Sequence, residues 1–85
     1  MENYWNPDYL DINLIEGELD RNEISYNLDA HSLNNYLPGI SANLLLGNDK
    51  EITEDEVDFY DATTTPEIKA EILKALNKLR EVYTN

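Results

Sequence analysis

Eighty-five residues make one domain at most, on a general scale of about 100–200 residues per domain, and a chain this short buries only about 60% of its unfolded surface, so its core must be thin. There is no cysteine, which excludes disulfides and thiolate metal sites as braces. Eighteen acidic residues against six basic ones give a formal net charge of −12, which argues against direct binding to nucleic acid or to anionic lipid, since both are held through Lys and Arg.

The charge is uneven. Residues 1–65 carry fifteen acids against Arg21 and Lys50, a net of −13, whereas residues 66–85 come to +1 through Lys69, Lys74, Lys78 and Arg80. The start, Met1 to Trp5, has neither the basic opening nor the apolar run of a signal peptide. The longest apolar run, Leu44 to Leu46, falls far short of the roughly 20 residues of a membrane span. These features suggest a cytoplasmic protein of bacterial or viral origin, or one of the host cytoplasm or nucleus if viral, with no membrane association.

Taken in chain order, residues 1–7 read as a flexible arm, because Pro7 turns Asn6 away from helix. Asp8 then caps a helix expected over 9–19, with Leu10, Leu14, Ile15 and Leu19 on its inner face and Gly17 as a weak point. Residues 20–22 are turn material. From Glu23 to Asp29 the pattern alternates, with Ile24, Tyr26 and Leu28 on one side, as in a short half-buried strand. Residues 31–37 suggest a helical turn or two, stopped by Pro38 and Gly39. Residues 40–46 fit either a strand pairing with 23–29 or a short helix capped by Ser41 and ended by Gly47.

Thr53 to Glu56 has the S/T-x-x-E form of a capping box, with Ile52 and Val57 placed to staple it, so a helix is expected over 54–61. The strongest local signal follows. Thr65 caps, Pro66 occupies the first helical position, and Ile68, Ile72, Leu76, Leu79 and Tyr83 recur at helical spacing, widened by Leu73 and Val82. Glu71 and Lys74 form a favourable i,i+3 pair, and the cations lie toward the C-terminus as the helix dipole favours. The expected fold is a single small acidic domain over 1–85. It is mainly α, with about three helices, a C-terminal amphipathic helix over 66–83, and one short β-hairpin as the α+β option.

The catalytic inventory is poor. His31 is the only histidine, and its spacing to Ser25, Ser32 and the acids matches no nucleophile motif. The glycines, Gly17, Gly39 and Gly47, are scattered and form no phosphate loop. A calcium loop ending at Glu56 would place Leu45, Gly47, Asp49 and Lys50 at positions that require acids, amides and the turn glycine, and only Asp49 fits. Neither enzyme activity, cofactor nor metal is therefore expected.

The acids are the first candidate binding surface. Glu51, Glu54, Asp55, Asp58 and Asp61 crowd one segment, with Asp8, Asp11, Glu16, Glu18 and Asp20 in support. On a helix, Glu54, Asp58 and Asp61 would share one face while Val57 and Tyr60 turn inward, a repulsion that scattering would avoid. The ordinary alternative is a solvated face that keeps the protein soluble. The six tyrosines, Tyr4, Tyr9, Tyr26, Tyr36, Tyr60 and Tyr83, are the second candidate, since tyrosine is enriched at interfaces. The expected function is a binding protein that occupies a basic surface of a partner, such as a nucleic-acid-processing enzyme, in the manner of a DNA mimic, inhibitor, antitoxin or immunity protein. The alternative is a structural or adaptor subunit, or a homo-oligomer, docking through the C-terminal helix.

Overall fold

The computed structural model describes residues 9–28 and 32–84. The arm over 1–7, the cap at Asp8 and His31 lie outside the described residues. The element order is β1 (Leu10–Asp11), α1 (Ile12–Arg21), a 3-10 turn at Leu33–Asn35, β2 (Gly39–Ile40), 3-10 turns at Ala42–Leu44 and Glu54–Glu56, and α2 (Pro66–Thr84). The described residues thus form a mixed α+β domain with two α-helices instead of three. The remaining helical signals survive only as 3-10 turns.

The hairpin also differs from expectation. β1 pairs antiparallel with β2, Leu10 opposite Ile40 and Asp11 opposite Gly39, and the Ile12 N–H extends the pairing to the Pro38 carbonyl at 3.0 Å. Gly39 permits this approach: a Cβ there would lie 2.2 Å from the Leu10 carbonyl oxygen, closer than any side chain tolerates. Residues 24–28 do alternate between half-buried and exposed, yet form no ladder. The end of α1 explains their path. Ile24 N–H bonds the Leu19 carbonyl at 2.9 Å and Glu23 N–H that of Asp20 at 3.1 Å, with Glu23 in the left-handed region at φ 58°. This paired closure directs the chain toward α2, where Asn27 N–H meets Glu71 Oε1 at 3.4 Å. Glu71, expected to pair with Lys74, serves this loop instead.

α1 begins three residues later than expected because Leu10 and Asp11 are drawn into the bridge. Asp11 becomes the cap, its Oδ2 accepting from Asn13 N–H at 3.0 Å. The buried face is Ile12, Ile15 and Leu19, and Leu14 is 41% exposed. α2 follows its sequence signal closely. Thr65 Oγ1 accepts from Ile68 N–H at 3.3 Å, and Ile72, Ala75, Leu76 and Leu79 are buried. Ile68, Leu73 and Tyr83 are partly buried against the same core, while Val82 is exposed.

The segment leading to α2 is held by amides. Asn77 Oδ1 accepts from Ile52 N–H at 2.7 Å and its Nδ2 donates to the Ile52 carbonyl at 3.1 Å, a two-point clamp on an extended backbone. Buried Arg80 donates to Asn77 Oδ1 through Nε at 3.2 Å and to the Asn48 carbonyl through a terminal nitrogen at 3.0 Å. A buried guanidinium with several such acceptors is structural, not a surface cation.

Candidate functional site

The helix expected over 54–61 is a single turn. The reciprocal half of the capping box forms: Glu56 Oε1 accepts from Thr53 N–H at 2.9 Å and from its hydroxyl at 3.2 Å. Ile52 and Val57, on either side, are buried. Val57 is already extended, and Tyr60 N–H donates to the Tyr36 carbonyl at 2.8 Å, a bond that a continuing helix could not make. An isolated segment of eight acidic-rich residues lacks the length to sustain a helix against like-charge repulsion. Glu54, Asp58 and Asp61 therefore share no helical face, and Tyr60, expected to turn inward, is 44% exposed.

Two of these acids meet a cation. Lys69, from the first turns of α2, lies 3.4 Å from Glu54 and 3.7 Å from Asp61. Its ammonium also sits 5.8 Å from the centre of the Phe59 ring. The carboxylates remain largely solvated, so each pair contributes little to stability, but together they lower the local negative potential. Glu51, Asp55 and Asp58 are exposed, and none forms a hydrogen bond or ion pair with another described residue.

The acids of α1 divide in the same way. Asp11 is exposed and caps the helix. Glu16 is half-buried and accepts from Leu33 N–H, closing the 3-10 turn that follows the undescribed residues. Glu18 accepts from the Tyr83 hydroxyl and pairs with Arg21 at 2.6 Å. The Tyr83 hydrogen bond, then that from Arg21, hold the Glu18 carboxyl below its ordinary range. Burial and the same carboxylate push the Tyr83 hydroxyl up to about 12. Asp20 is exposed. Asp8 lies outside the described residues.

Tyr9 joins the two acidic regions. It is 53% exposed, and its phenol is shifted upward by partial burial, then by Asp58, Tyr60 and Asp11. The charges of Asp58, from the acidic segment, and of Asp11, at the start of α1, thus both act on one exposed phenol, as does Tyr60. Of the other described tyrosines, Tyr36 is buried and Tyr26 and Tyr83 are half-buried. Proximity between residues about fifty positions apart had no signature in the sequence. Nor did the meeting of Lys69 with the segment, since the sequence placed Lys69 only in the first turns of α2. Exposed Glu23 and Asp49 also add to the acidic surface.

Among the described residues, no group of three or more His, Asp or Glu side chains converges to hold a metal. No helix among them is long and apolar enough to cross a membrane. No protein-family model matches the chain, and no curated protein or solved structure matches it.

Proposed function

We propose that this chain is a binding protein whose acidic surface occupies a basic surface of a partner protein, as an inhibitor, antitoxin or immunity-type protein that takes the place of nucleic acid would. The observation that carries this reading is the division of the acids. Asp11, Glu16, Glu18, Glu54 and Asp61 serve caps, turns or ion pairs. Glu51, Asp55 and Asp58 are exposed and have no such contact among the described residues, and the charge of Asp58 acts on the phenol of exposed Tyr9. Carboxylates beside exposed aromatic rings suit Arg and Lys side chains, which pair with the former and stack on the latter.

The reading in which the C-terminal helix docks another subunit has less support. Its stripe, Ile72, Ala75, Leu76 and Leu79, is buried in the chain's own core. A basic partner is sought by affinity capture from the native host at low salt, and association rates are then measured at low ionic strength and near 1 M salt. Asp61 is a poor choice for charge reversal, because Lys69 sits beside it. Asp55→Lys with Asp58→Lys should slow association strongly at low salt and weakly near 1 M, where the screening length is about 3 Å. Equal rates for both proteins at low salt would sink the proposal and leave the acids as solubilising charge.

A further inference from the structure

The segment from Ile24 to Leu28 has the pattern of a strand and no strand beside it. Ile24, Tyr26 and Leu28 are half-buried against the core, while Ser25 and Asn27 are exposed, the period-two alternation of an extended chain. Its backbone is almost unused. Ile24 N–H reaches the Leu19 carbonyl at the end of α1, and Asn27 N–H reaches Glu71 on α2. The N–H groups of Ser25, Tyr26 and Leu28, and all five carbonyls, bond no described residue. In an extended chain the N–H groups of alternate residues share one edge. Those of Tyr26 and Leu28 therefore follow that of Ile24 toward α1, opposite the Asn27 N–H that meets α2.

On the α1 side runs a groove of about 340 Å³, lined by Glu16 and Asp20 of α1, by Glu23 and by the segment itself. Glu16 and Asp20 stand at i and i+4, on one stripe of the helix. Among the described residues no Lys or Arg lines this groove, and Asp20 and Glu23 form no ion pair. Glu16 bonds the neutral Leu33 amide, which leaves its charge uncompensated. Arg21 is turned to Glu18, and Lys74 and Lys78 line the recess on the α2 side of the segment. The Tyr26 phenol is pushed up by burial and then by the charges of Glu16 and Asp20, which therefore act on the groove. A second copy of the chain would bring the same carboxylates to this edge. Nor does the chain offer a basic strand of its own, because its cations outside α2 are Arg21 and Lys50 alone.

We infer that the α1-side edge of residues 24–28 docks an extended basic segment of a partner protein, whose backbone pairs with Tyr26 and Leu28 and whose Lys or Arg side chains meet Glu16, Asp20 and Glu23. An unpaired edge is a template for strand addition, in which the main chain supplies affinity and the neighbouring side chains supply specificity. The inference rests on the basic-partner reading only for the sign of the partner's charge. It uses neither Asp55 nor Asp58, so the two fail separately.

Five extended residues span about 16 Å, so the probe is the capped pentapeptide Lys-Val-Lys-Val-Lys, added at low salt to the full chain labelled with ¹⁵N. It is compared with Glu-Val-Glu-Val-Glu and with two forms of the lysine peptide, N-methylated at the lysines or at the valines. The lysine peptide should shift the amide signals of Tyr26 and Leu28 and slow their hydrogen exchange. One N-methylated form should bind about ten-fold more weakly and the other nearly as well as the parent, since only alternate N–H groups face the edge. Asp20→Asn with Glu23→Gln, both at exposed positions, should weaken binding about ten-fold. Equal binding of the glutamate peptide overturns the basic occupant, and equal effects of the two N-methylation patterns overturn the backbone pairing. Shifts at Asp55 and Asp58 without any at Tyr26 and Leu28 overturn the inference while the acidic-surface reading stands. Shifts at Tyr26 and Leu28 support it even where Asp55→Lys with Asp58→Lys leaves partner association unchanged and that reading falls. Amides of Tyr26 and Leu28 already protected in the free protein would show that the chain covers its own edge, and absence of any shift at millimolar peptide would show that nothing basic docks there. Either result overturns the inference.

Discussion

At the scale of single residues, the contact with the clearest consequence joins Glu18 to Tyr83, sixty-five positions apart. The fold holds Tyr83 neutral and Glu18 charged, so the two groups act at opposite ends of the pH range. Tyr83, raised to about 12, contributes stability that is fully present below the ordinary tyrosine value of about 10 and is lost as pH rises from there toward 12. Glu18, lowered, contributes stability that is present above the ordinary glutamate value of about 4.3 and is lost as pH falls below it. Tyr83→Phe should therefore lower stability near pH 7 and flatten its decline at both extremes, read from urea denaturation at acidic, neutral and strongly alkaline pH. Parallel curves for wild type and variant would mean that the hydroxyl is not held by Glu18. From the sequence, Glu18 belongs to the outward-facing acids and Tyr83 to an apolar stripe; neither assignment anticipates a bond between them, because nothing local records it.

At the scale of elements, legibility follows how local the determining interactions are. α2 carries its own instructions: a threonine cap, proline at the first position, and an apolar stripe whose central members, Ile72, Leu76 and Leu79, are the residues that become buried. Leu76 is fully enclosed. Leu76→Ala should destabilise the protein by about 2–5 kcal/mol through lost burial and the cavity left behind. A change below about 0.5 kcal/mol in urea denaturation would show that the helix does not pack through this face. α1 carried a weaker signal, and a pairing with Gly39, twenty-eight residues past Asp11, moved its start. The expected helix over 54–61 failed for the same kind of reason. The cap formed, but the backbone bond from Tyr60 to Tyr36 drew the following residues into an extended path. The alternating residues 24–28 bury Ile24, Tyr26 and Leu28 against the core without a strand partner. Their pattern correctly gave the side-chain faces, while the hydrogen bonding depended on which segment pairs with Gly39.

At the scale of the whole molecule, the charge of −12 is a standing repulsion that screening relieves. Raising salt from about 0.01 M to about 0.15 M shortens the screening length from about 30 Å to about 8 Å and should raise the melting temperature. Asp55→Lys with Asp58→Lys, each reversal adding two charges and bringing the net from −12 to −8, should melt higher at low salt and respond less to added salt. A melting temperature that falls with salt would mean that attractive pairs, such as Lys69 with Glu54 and Asp61, outweigh the repulsion. The sequence by itself determined the acidity, its concentration before residue 66, the absence of cysteine chemistry, the C-terminal helix with its buried stripe, and the capping of the turn at Glu56. Each of these is a matter of composition or of interactions within a few residues along the chain. Only the tertiary structure decided which acids cap, pair or remain exposed, set the charges of Asp58 and Asp11 to act on Tyr9, and opened a recess lined by Leu14 and Leu46. Those outcomes depend on the placement of distant segments, as does the start of α1, which the bridge between Asp11 and Gly39 sets.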